Sequence, residues 1–146
     1  MATFTKVNDF TEHVAEKVHN LGADTLTVAL SNTAPASEAS NPTADGNGVL
    51  ANVTEIAYTN LSTRVITTTS SAQTSGTYKL VLTDLVLTST GGTTGPFQYV
   101  YIYNDTPTSP ADAIIGYLDY GSAVTLQDGD TFTLDFDGTN GVLTLG

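Results

Sequence analysis

Four aspartates near the end of the chain, Asp128, Asp130, Asp135 and Asp137, supply a concentrated set of hard oxygen ligands. Asp135 and Asp137 fall on the same side of one strand and Asp128 and Asp130 flank the preceding turn, so a calcium ion with oxygen ligands is geometrically conceivable. Turn chemistry explains the same residues more simply. Asp128-Gly129 is a common turn pair, and the alternation from Thr131 to Asp137 sends the acids to the solvent face. Asp45-Gly46-Asn47-Gly48 resembles the start of a calcium loop but lacks the remaining ligand spacing, and it reads as a turn. His13, Glu16 and His19 are all capable of holding zinc. On one helix, however, His13 and His19 stand six residues apart, about 120° around the axis, unlike the four-residue spacing that brings two imidazoles to one ion. Neither a metal nor another cofactor is expected.

Covalent and acid–base chemistry find as little support. The sequence has no cysteine, which removes thiolate nucleophiles, thiolate metal ligands and disulfides together. No serine sits in a Gly-x-Ser-x-Gly elbow, and both histidines lie in the first twenty residues, so a Ser-His-Asp triad has few ways to assemble. Fifteen acids permit many carboxylate pairs, but there is no tryptophan to line a glycan cleft. The chain is not expected to be an enzyme.

A contact surface is the more promising feature. In Phe97-Gln98-Tyr99-Val100-Tyr101-Ile102-Tyr103, alternation sends Phe97, Tyr99, Tyr101 and Tyr103 to one face and Val100 and Ile102 to the other. Both faces therefore call for burial, as in a central strand between a core and covering loops. The functional reading is that Tyr99, Tyr101 and Tyr103 meet another protein chain, since tyrosine offers contact area and a hydroxyl at low entropic cost.

The elements that would carry these residues follow from periodicity. Phe4, Val7, Phe10, Val14, Val18 and Leu21 recur at steps of three and four, which predicts one amphipathic helix over about 6–21, ended by Gly22. The period then changes to two at Thr25–Leu30. Residues 32–48, rich in Ala, Ser, Asn, Pro and Gly, read as a long surface loop, and 50–61 fit either a short helical turn or irregular structure. Strands are placed near 64–70, 77–88, 97–104, 113–120, 122–126, 130–137 and 141–145, separated by turn residues such as Gly91-Gly92 and Asn140-Gly141. The expected fold is mainly β: one domain over 1–146, an antiparallel β-sandwich, jelly-roll-like or a related barrel, with a single N-terminal helix.

Composition narrows the partners. Charged residues make up 13% of the chain, against roughly 25% in a typical soluble protein. Only Lys6, Lys17, Arg64 and Lys79 are basic, and the net charge is -11. Without a basic patch to displace counterions, nucleic acid is not an expected partner. No stretch approaches the roughly 18 consecutive apolar residues of a membrane span, and the first residues lack an export signal pattern. A polar, weakly charged surface suits neutral contacts with other proteins.

Three stretches carry a resemblance: FTKVNDFTEHVAEKVHNLGADTLTVALSNTAP, TSSAQTSGTYKLVLTDLVLTSTGGTTGPFQYVYIYNDTP and IIGYLDYGSAVTLQDGDTFTLDFDGTNGVLTL. Together they resemble a family of small structural proteins of tailed bacteriophages, over most of the chain apart from roughly residues 36–62. The resemblance implies a virion component without a catalytic site. It favours a capsid decoration or cement protein, bound to the major capsid protein on the capsid surface, homo-oligomeric and commonly trimeric, and assembled in the host cytoplasm. A tail-associated protein of tube, fibre base or tail tip is the alternative. A receptor- or carbohydrate-binding module is a third reading, and it would need an exposed aromatic platform.

Overall fold

The alternating stretches become antiparallel strands in the computed structural model, which describes residues 2–146 and is mainly β. In chain order the first elements are β1 (Phe4–Lys6), α1 (Asp9–Ala15), β2 (Leu26–Ser31), β3 (Val65–Ile66), β4 (Thr68–Thr74) and β5 (Thr77–Leu82). They are followed by β6 (Leu85–Thr88), β7 (Thr94–Thr108), β8 (Ala111–Leu126), β9 (Thr131–Leu134) and β10 (Leu143–Leu145). Three sheets result, ordered β1-β8-β7-β2-β3, β10-β5-β4 and β6-β9. One continuous hydrophobic cluster joins them, drawing Val28, Leu30, Val100 and Ile102 from the first sheet, Leu80 and Leu82 from the second, and Leu87 and Leu134 from the third.

The hairpin of β7 and β8 organises the molecule. Its register shifts at four places, so the long strands bend and serve two neighbourhoods. At one end Val100 and Ile102 pair across to Leu30 and Val28 on β2. At the other, Phe97 meets the ring of Phe132 on β9 edge-on at 5.2 Å, and Tyr120 meets the same ring at 4.9 Å. Gly116 on β8 lies opposite Lys6 on β1. A side chain there would strike the Phe4 ring and the Thr5 carbonyl, so glycine is what lets β1 lie flat on the sheet.

The N-terminal helix is much shorter than its apolar spacing predicts. Phe4 belongs to β1, and α1 ends at Ala15 because Lys17 takes a left-handed backbone, φ 66°. Val18 N–H then reaches back to the His13 carbonyl at 2.8 Å and Lys17 N–H to the Val14 carbonyl at 3.2 Å, which is a Schellman stop with lysine in the position glycine usually holds. The spacing nevertheless marked buried residues: Val7, Phe10 and Leu21 are all in the core. Among the described residues, no helix is long and apolar enough to cross a membrane.

Candidate functional site

The tyrosine strand lies inside the five-stranded sheet. Tyr101 is fully buried and Tyr103 is 5% exposed, while Tyr99 remains partly exposed beside Asp119. On this face Tyr101 sits between Ala29 of β2 and Tyr117 of β8, its ring 5.6 Å from that of Tyr117. Burial pushes the Tyr101 hydroxyl's pKa up, helped by the nearby carboxylate of Glu38, and burial also raises that of Tyr103, which Arg64 opposes.

Residues 32–64 bring Glu38 near Tyr101 and Glu55 and Arg64 near Tyr103, and this cover is attached through the outer edge of β2. Beyond Thr27, β3 no longer pairs with this edge, and side chains and loop backbone take over. Val28 N–H donates to the Arg64 carbonyl at 2.9 Å, and Arg64 Nη1 returns to the Val28 carbonyl at 2.6 Å. Leu30 N–H donates to Tyr58 Oη at 2.9 Å, and the Leu30 carbonyl accepts Ile56 N–H at 2.9 Å. Tyr58 in turn donates to Glu55 at 2.6 Å, and the Arg64 guanidinium stacks 3.8 Å above its ring. Every backbone group of β2 that β3 leaves unpaired from Val28 to Leu30 on this side thus finds a partner.

The loop itself is held by carboxylates. Both oxygens of Asp9, in the first turn of α1, accept backbone N–H groups of the loop, from Gly46 and Gly48, each at 2.8 Å. Glu38 accepts Thr54 N–H and its hydroxyl, both at 2.8 Å, and Asn41 closes an Asx turn on Thr43. Asp45 accepts from Asn8. The run 32–48 is therefore a fixed cover. Sequence reasoning missed Asp9, Glu38, Tyr58 and Arg64 as its anchors; the one available signal was Arg64, the single arginine in a chain almost without bases.

Three of the four acids that could have formed a calcium site, Asp128, Asp130 and Asp137, are occupied with turns. Asp128 accepts Gly91 N–H at 2.8 Å, Asp130 accepts Gln127 N–H at 2.9 Å, and Asp137 accepts Thr139 and Asn140 N–H at 2.8 and 2.7 Å. The bonds from Asn140 and Thr139 hold the Asp137 carboxyl below the usual carboxylate range. Among the described residues, no three His, Cys, Asp or Glu side chains converge to hold an ion.

The histidines do come together, contrary to the helical spacing argument, because the chain doubles back at Lys17. The rings of His13 and His19 meet edge-on at 5.8 Å, with Phe10 5.2 Å from His19. Glu16 caps the helix end and is exposed. Asn104, fully buried, has its Oδ1 accepting Thr106 N–H and its Nδ2 donating to Asp24 at 2.6 Å, so the same NH₂ faces His19 Nδ1 at 3.1 Å. A nitrogen that accepts cannot carry the ring proton, which places it on Nε2 and disqualifies Nε2 as a metal ligand. Burial, and next the neighbouring His13, lower the His19 pKa to about 4. The imidazole is a neutral structural joint beside an open groove of about 340 Å³ lined by Val14, Leu21, Tyr78 and Leu145.

Comparison with known proteins found no matching family model, no matching curated protein and no matching solved structure.

Proposed function

We propose that the protein is a structural component of a tailed-bacteriophage virion, a capsid decoration protein that binds the head lattice and stabilises it. The observation that carries this reading is the likeness of the GPFQYVYIYND and DYGSAVTLQDGDTFTLDFD blocks to small phage structural proteins. In the fold these blocks build β7, β8 and β9, the scaffold on which the rest is hung. The acids reserved for turns and loop attachment, and a surface otherwise dominated by Ser, Thr and Gly, support a role in neutral protein–protein contact. We further infer that the three sheets sharing one core are layers of a jelly-roll-like β-sandwich.

On this reading the partners are the major capsid protein and further copies of the chain, which on the capsid lattice would close into a homo-oligomer, commonly a trimer, so that many weak contacts add. A glycan-binding module is less well supported, because Tyr101 and Tyr103 are buried and form no exposed platform. Cryo-electron microscopy of purified virions, with copy number from quantitative mass spectrometry, tests the proposal. Density across the head in hundreds of copies is the expected result. A handful of copies confined to the tail would replace decoration by a tail-associated role.

A further inference from the structure

Sheet edges expose unpaired N–H and C=O groups, and this chain keeps most of its edges short. β1 and β10 have three residues each, β3 has two, and β6 and β9 have four. Among the strands that end a sheet β4 is the exception, with seven residues on the free side. Its hairpin with β5 closes through the two-residue turn Ser75-Gly76, both with positive φ, which makes Thr74 and Thr77 a hydrogen-bonded pair. Alternation from there turns the backbone groups of Gln73 and Ser71 outward. Among the described residues, no backbone group pairs with them.

Natural edges of this length are guarded by charge, proline, cover or a bulge. Residues 65–78 contain neither a charged residue nor a proline, although the chain holds 15 acids. The one irregularity lies between Thr68 and Ser70, which leaves Ser71–Thr74 straight and exposed apart from the half-buried Ser71.

We propose that this edge pairs antiparallel with β4 of a second copy, about a two-fold axis at Ala72. In that register Ser71 faces Gln73 of the other copy, and their outward groups complete about four backbone hydrogen bonds. Charge selects a second copy as the occupant. A two-fold contact sets each residue beside its own image, and in a protein of net charge -11 other surface would oppose carboxylates to carboxylates, which residues 65–78 do not. Ser, Thr, Ala and Gln across from one another are compatible cross-strand pairs. The contact is small and so concentration-dependent, suited to copies crowded on a surface. It does not depend on the decoration reading, since it is a property of the purified chain.

The register gives a direct test in the full-length protein, because a chain with no cysteine reports a single introduced thiol cleanly. Ala72→Cys places two thiols on directly opposed strand positions, within disulfide reach, whereas the equally exposed Thr74→Cys faces Ser70 of the other copy. Under mild oxidation Ala72→Cys should form covalent dimer at least about tenfold faster than Thr74→Cys, through the higher effective concentration. In sedimentation velocity over a concentration series, the wild-type chain should show monomer and dimer, and Ala72→Glu, folded by circular dichroism, monomer alone. Equal cross-linking rates at the two positions, or self-association unchanged in Ala72→Glu, would overturn the proposal.

Discussion

The outer edges of β2 and β4 both leave backbone groups without a neighbouring strand, β2 beyond Thr27 and β4 along its whole length, and they end differently. On β2 the chain closes the edge itself with Arg64, Tyr58 and Ile56 and lays residues 32–64 over the tyrosines. On β4 it adds nothing: the strand is neutral, largely exposed and unpaired on its outer side. Aromatic content alone would have placed the contact surface on the first. Backbone satisfaction places it on the second, because buried tyrosines contribute to the core while unpaired N–H and C=O groups still need a partner.

The difference can be broken from the covered side first. Tyr101→Ala removes the largest fully buried side chain and should cost about 3–5 kcal/mol of unfolding free energy in urea titration. Arg64→Ala should cost about 2 kcal/mol by the same measurement, since it leaves the Val28 carbonyl short of a partner and unstacks Tyr58. Asp9→Ala frees two loop N–H groups and should cost about 1 kcal/mol, with amide exchange rising at Gly46 and Gly48 ahead of the core.

A gentler test uses pH. His19 titrates lower in the folded chain, about 4, than the ordinary imidazole value of 6.5. Its contribution to stability is therefore fully present above pH 6.5 and is lost progressively as pH falls toward 4, where the folded form must also take up the proton. Thermal melts of wild type should decline over that window more steeply than those of His19→Gln, which lacks the titrating ring. On the open edge, by contrast, Ala72→Glu should leave monomer stability within about 0.5 kcal/mol while abolishing self-association.

Much of the β architecture was legible because alternation and turn residues are local signals. Thr131–Leu134 and Leu26–Ser31 lie where threonine–aliphatic alternation put them. The predicted strand 77–88 divides in two around Asp84, whose carboxylate accepts Phe136 N–H, a long-range bond that no local pattern encodes. The predicted strands 113–120 and 122–126 merge into β8, since Gly121 bends the strand without ending it. The helix was overextended because a lysine performs the left-handed stop. At the candidate site, alternation grouped the tyrosines correctly, but their cover depends on Asp9, Glu38 and Arg64 reaching across dozens of residues. The open edge was illegible because an edge is defined by the strand that is missing beside it.

Hydrogen–deuterium exchange of the purified chain at low and high concentration tests the contrast most directly. Amides of residues 98–104 should be protected equally at both, and those of Ser71 and Gln73 should gain protection only at the high concentration. Concentration-dependent protection at 98–104, with 69–74 unchanged, would contradict the account and return the contact surface to the tyrosine strand.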